Sequence, residues 1–131
     1  MHTTTATAPR PAAAARLGYA AFAVLMLTAA VLEAVQHGTG YWPMAVFGLG
    51  PDVALFVGVG RGLAKGQLHP RAVGLYNLLH RFWGPVALAA LASFDVISVG
   101  FLIGALAWLF HIALDRAVGY GLRTRDGFQR A

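Results

Sequence analysis

Four apolar stretches divide this chain, and each is close to the length that crosses a bilayer. They run over residues 17–36, 41–62, 72–92 and 96–114. A helix needs about 20 apolar residues, rising about 1.5 Å each, to span the hydrocarbon of a membrane. The spacing therefore predicts an all-α fold, an integral membrane bundle of about four transmembrane helices. Charge supports this. Only 11% of the residues are charged, whereas a water-soluble domain carries charge on about a quarter of its residues.

The placement of the basic residues predicts the topology. The connections at residues 37–40 and 93–95 contain no Lys or Arg, while the connection between the second and third stretches carries Arg61, Lys65 and Arg71. Arg10 and Arg16 precede the first stretch, and Arg116, Arg123, Arg125 and Arg130 end or follow the last. Alternation of basic and bare loops is the positive-inside pattern, which puts both termini in the cytoplasm. The net charge of +5 is thus distributed for a membrane, with no basic stripe or aromatic platform for nucleic acid. Residues 1–16, rich in Thr, Ala and Pro, read as a disordered cytoplasmic tail. Residues 17–122 read as the four-helix domain and 123–131 as a cytoplasmic C-terminal tail. The first stretch resembles a signal peptide in its flanks, but its apolar core is long for one and reads as a retained helix. The Trp and Tyr residues, Trp108 among them, read as interface anchors or packing.

The second stretch is interrupted at Gly48-Leu49-Gly50-Pro51-Asp52. Proline removes a backbone donor and clashes with the preceding turn. A break at membrane depth is tolerated only where protein or a wet cavity meets the freed backbone groups. Ionisable residues inside apolar spans mark function more often than packing, and here they are Asp52, His80, Arg81, His111, Asp115 and Arg116. Counted from the cytoplasmic ends, Asp52 lies about 15 Å deep, His80 about 12 Å, His111 about 10 Å and Asp115 about 5 Å. Asn77 and His80 are three residues apart, and His111 and Asp115 four apart, so each pair shares a helix face. Two imidazoles and two carboxylates from three helices suit one divalent ion, Zn, Mn or Fe, with Mg favoured by carboxylates alone. Bundles build metal sites in this way. Glu33 lies near the opposite face and stands apart. The absence of cysteine excludes disulfides, thiolate ligands and a cysteine nucleophile, and no P-loop, GxSxG or HExxH motif is present.

Pro51-Asp52, Tyr76-Asn77 with His80, and the run His111-Ile112-Ala113-Leu114-Asp115-Arg116-Ala117-Val118-Gly119-Tyr120-Gly121-Leu122 resemble a family of small bacterial membrane proteins, domain of unknown function 4260. The resemblance covers residues 17–128, and the H-x-x-x-D-R-x-x-G-Y-G-L run is its most specific part. It implies residence in the bacterial cytoplasmic membrane and no known activity. The order of polar residues is also similar, more distantly, to that of membrane-bound metal-dependent hydrolases.

Two readings follow. In the first, Asp52, His80, His111 and Asp115 hold the metal of a hydrolase acting on a lipid or amphiphilic ester or phosphoester. Asp52 or Asp115 would serve as base, and Arg81 or Arg116 would neutralise a phosphate or oxyanion. In the second, the protein is not an enzyme. Asp52 would bind a proton or cation beside the broken helix, as in transporters, or the cluster would lock the bundle. Ala20, Ala21, Gly100 and Gly104 offer close packing for a homodimer in that reading.

Overall fold

The computed structural model describes residues 12–130. Among these residues the regular structure is helical, apart from one isolated β-bridge between Arg123 and Gln129. The helices are α1 (Ala13–His37), α2 (Tyr41–Leu49), α3 (Val53–Val57), α4 (Pro70–Leu79), α5 (Trp83–Ser93) and α6 (Val99–Val118), with a 3-10 turn (Gly50–Asp52) joining α2 to α3. Helix α1 begins four residues earlier than the apolar stretch that foretells it, so Arg16 lies within its first turn. The expected disordered tail falls, for residues 1–11, outside the described residues.

Two helices, α1 and α6, are each long and apolar enough to cross a membrane. The other two apolar stretches are not continuous. The second is split by the expected break around Pro51. The third is split as well, into α4 and α5, which the sequence reading did not foresee. Its cause is Pro85, in the first turn of α5. A straight helix would drive the Pro85 ring into the carbonyl of Arg81 and leave that carbonyl without its donor.

Helix α6 is the hub, with α1, α2 and α5 packed on it, while the short α3 packs on α4. The contacts use small residues. Helix α1 buries only Ala23, Ala30 and Ala34 and exposes Leu17, Val24, Leu25, Leu32 and Val35. Large apolar side chains outward and alanine or glycine inward is the arrangement of helices that associate in lipid by close backbone approach. Gly100 and Gly104 of α6, the glycines offered above as a dimer face, are already covered within the chain by Pro43 and Phe47 of α2. Their role is to seat α2. Gly40, with φ of 88°, turns the chain into α2 directly against Ile103, where a Cβ would overlap the isoleucine side chain.

The segment after α6 does not trail away as a tail. Gly119, with φ of 99°, ends the helix in the left-handed conformation, and the chain folds back over the connection between α3 and α4. Leu68 donates its amide to the Gly127 carbonyl at 2.9 Å, and Gln67 Nε2 donates to the Asp126 carbonyl at 2.8 Å.

Candidate metal centre

Two of the four residues that build the centre are delivered by the helix breaks. Asp52 closes the 3-10 turn that follows from Pro51, and His80 occupies the residue after α4, where the helix stops. The other two, His111 and Asp115, lie one turn apart on the continuous α6. The three segments meet so that one donor atom from each of the four residues lies within 4.8 Å of every other.

The four nearest separations alternate between imidazole nitrogen and carboxylate oxygen. Asp52 Oδ1 is 3.5 Å from His80 Nε2 and 3.2 Å from His111 Nε2. Asp115 Oδ2 is 3.3 Å from His80 Nε2 and 3.5 Å from His111 Nε2. A tetrahedral ion with bonds of about 2.0–2.1 Å sets its donors about 3.3–3.4 Å apart. The four imidazole–carboxylate edges fall on either side of that value, and the nitrogen–nitrogen and oxygen–oxygen edges lie within 4.8 Å.

These separations also lie within ion-pair range, so the alternative is a cluster of imidazolium–carboxylate pairs. The state of the two Nε2 atoms and the length of their contacts argue against it. Each imidazole has its Nδ1 set 2.8 Å from a backbone carbonyl, His80 at Tyr76 and His111 at Gly48. A carbonyl only accepts, so Nδ1 carries the proton in both rings, and in the neutral ring Nε2 keeps its lone pair. Both Nε2 atoms are buried, and neither has a hydrogen-bond partner. Charge-assisted pairs contract to about 2.7–2.9 Å, and none here does. Imidazoles whose Nδ1 atoms are anchored on carbonyls and whose Nε2 atoms are left without hydrogen bonds match the outer arrangement of metal-ligating histidines.

The surroundings hold the histidines in place. The break after α4 frees carbonyls that need donors. Trp108 Nε1 donates to the Leu79 carbonyl at 2.8 Å, and Arg116 Nη2 donates to the His80 carbonyl at 3.1 Å. The Trp108 ring can lie there because Gly84 has no side chain; a Cβ at residue 84 would come within 2.8 Å of it. Tyr76 stacks on the His80 imidazole with centroids 3.9 Å apart. His80 is 2% exposed, whereas the Asp52 side chain is 45% exposed, so the centre is closed on the histidine side and open at Asp52.

The other residues singled out from sequence have separate places. Arg116 reaches the centre through the His80 backbone, as described. Arg81 is exposed, and no carboxylate lies within ion-pair distance of it among the described residues. Asn77 faces away from the donors and clasps the C-terminal segment, donating to the Arg123 carbonyl at 3.0 Å and accepting its amide at 2.7 Å. Glu33 pairs with His37 on α1 at 3.5 Å. Trp108, assigned above to an interface or to packing, supports the centre instead. Its spacing from His111 and Asp115, three and seven residues, is a single helix face and is the signal that could have found it.

A family model described as Domain of unknown function (DUF4260) matches residues 17–131. No curated protein and no solved structure matches the chain.

Proposed function

Because the chain belongs to the family described as Domain of unknown function (DUF4260), a description that names no activity, we propose from the centre itself that this is a membrane-embedded protein holding one divalent metal ion between Asp52, His80, His111 and Asp115. One observation carries the reading: two buried Nε2 atoms without hydrogen bonds face two carboxylate oxygens at 3.2–3.5 Å, with all four donors within 4.8 Å of one another. Zn, Mn and Fe suit a donor set of two imidazoles and two carboxylates.

The activity this supports best is hydrolysis of a lipid or amphiphilic ester or phosphoester. A divalent ion supplies Lewis acidity toward a carbonyl or phosphoryl oxygen and acidifies water. The exposed flank at Asp52 gives a reacting group access, and Asp52, the least buried donor, is the carboxylate able to turn outward and take a proton. His80 and His111 stay fixed by Tyr76 and Gly48. The exposed apolar side chains of α1 and the apolar length of α1 and α6 support residence in a bilayer, and on this reading α2–α3 and α4–α5 complete four passes with both termini in the cytoplasm. The centre then lies in the cytoplasmic half of the membrane, within reach of that leaflet's lipids.

A second reading has its own support. Four protein donors complete a tetrahedron, and closed sites are structural whereas catalytic ones keep a position open. In that case the ion staples the two broken helices to α6 without catalysis. The deciding experiment is elemental mass spectrometry of the detergent-purified protein beside an Asp52→Asn/His111→Ala variant, followed by ester and phosphoester substrates. Near-stoichiometric metal that disappears in a still-folded variant is expected. Turnover abolished by Asp52→Asn supports the hydrolase, and metal without turnover supports the staple. Wild-type protein that takes up no divalent ion removes both readings.

A further inference from the structure

A second polar site lies on the other side of Tyr76 from the metal centre, and nothing in the reading above uses it. The folded-back C-terminal segment and one face of α4 enclose a cleft of about 420 Å³. Pro70, Gly74 and Asn77 form the α4 wall, and Arg123, Arg125 and Arg130 form the other. Residues 70, 74 and 77 recur at helical spacing, so they share one face. At Gly74 a Cβ would meet nothing within 4 Å, so this wall opens on free space.

Among the described residues, none of the three arginines is paired with a carboxylate. Every ion pair among the described residues joins a histidine to a carboxylate, and none involves an arginine. Arg123 is held rigidly. Its backbone is clasped by Asn77, its Nη1 donates to the Gly66 and Gly127 carbonyls, and its guanidinium lies 4.8 Å over the Tyr76 ring. Its Nε is nevertheless buried without an acceptor. The guanidinium charge of Arg123 is thus held in a poorly solvated place at the cleft wall, where an anion in the cleft would offset it. Arg125 and Arg130 are exposed at the same cleft and are free to close on it.

We propose that this cleft is an anion site for a phosphate group. Planar guanidinium forks match the oxygens of phosphate, and convergence of three suits its multiple charge. The group could arrive on a lipid headgroup of the cytoplasmic leaflet or as a free phosphate; the recognition chemistry is the same. The site rests on the fold alone and stands whether or not the centre at Asp52 binds metal. Through Tyr76, which contacts both the Arg123 guanidinium and the His80 imidazole, it adjoins that centre.

The test is calorimetric titration of the full chain in phosphatidylcholine nanodiscs, treated with chelator so that no metal competes for the anion. Inorganic phosphate is one titrant, and dioctanoyl phosphatidic acid is the other. The variant is Arg125→Gln/Arg130→Gln, chosen because both side chains are exposed and Arg123 is not. Saturable binding of either titrant, weakened at least about tenfold in the variant, is expected, since charge-assisted contacts are lost. Phosphatidic acid alone binding assigns the site to a lipid headgroup, and both binding assigns it to phosphate from any source. No saturable binding, or a variant that binds as the wild type does, overturns the proposal. Metal content measured on untreated aliquots of both proteins reports separately on the metal centre.

Discussion

Replacing Asp52 by Asn has opposite consequences for a metal centre and for an ion-pair cluster. Without metal and with neutral imidazoles, the centre holds two carboxylates whose facing oxygens are at most 4.8 Å apart. At an effective dielectric of about 20, two unit charges at that separation repel by about 3 kcal/mol. With the Asp52 side chain 45% exposed, screening by water reduces this to about 1–2 kcal/mol. Asp52→Asn removes the repulsion, and its amide remains hydrated, so the chelated variant should be more stable than the chelated wild type. Metal reverses the order. An ion present at about 100 times its dissociation constant stabilises the wild type by about 2.7 kcal/mol, while the variant has lost a charged donor and gains little. The assay is thermal unfolding in detergent followed by intrinsic tryptophan fluorescence, with chelator and then with Zn or Mn. The expected result is a crossing: the variant melts higher in chelator and lower in metal. If His80 and His111 were instead imidazolium partners of the carboxylates, Asp52→Asn would lower the melting temperature in chelator, and metal would leave the wild type unmoved. That outcome would refute the reasoning.

Trp108→Phe removes both the donor to the Leu79 carbonyl and the six-membered ring of the indole that lies against Gly84, costing about 1–3 kcal/mol for the unsatisfied group alone. Because that bond steadies the turn bearing His80, metal affinity should fall about 10–100-fold, read by competition with a chromophoric chelator; unchanged affinity would exclude the supporting role. Asn77→Leu cuts both bonds to the Arg123 backbone and should release the C-terminal segment, so that trypsin cleaves at Arg123 and Arg125 faster than in wild type, checked by mass spectrometry of timed digests. Gly40→Ala combines a left-handed backbone with a Cβ inside Ile103 and should cost at least about 1–3 kcal/mol, seen as a lower melting temperature and folded yield. Alkaline carbonate extraction of cell membranes should leave the protein in the pellet, and its release into the supernatant would contradict a bilayer-embedded bundle.

The helices and the donors were legible in the chain for different reasons. Apolar length alone marks α1 and α6, and Pro51 between glycines marks the first break. His111 and Asp115 follow from four-residue spacing on an unbroken helix, where spacing is a dependable guide to direction. His80 was placed by the same rule on a helix that in fact ends there. Its side chain is set by the turn before Pro85, so His80 joins the cluster through a geometry that the rule does not contain. The pairing of Asn77 with His80 failed for that reason: one belongs to α4, the other to the turn after it, and they face different partners. The folded-back C-terminal segment leaves little mark in the sequence because its bonds to Gln67, Leu68 and Asn77 use its own backbone groups, and backbone groups leave no mark in residue type.

The two helix breaks and the four donors lie together in the fold. A carbonyl in a helix ladder accepts one backbone amide and keeps a second lone pair for an imidazole Nδ1 proton, as the Tyr76 carbonyl does for the amide and ring of His80. Pro51 and Pro85 each interrupt that ladder on a stretch packed around α6. The backbone beside the breaks, at Gly48 and Tyr76, accepts the Nδ1 protons of His111 and His80. Those two bonds leave both Nε2 atoms on the carboxylate side, buried and without hydrogen-bond partners. Helix breaks and ionisable groups are both costly in an apolar bundle. A cation held between the four donors would offset the repulsion between Asp52 and Asp115 and occupy both Nε2 lone pairs, whereas a bundle lock without metal leaves both costs in place. Pro51 and Pro85 set where the helices stop, and so where Asp52 and His80 stand against His111 and Asp115.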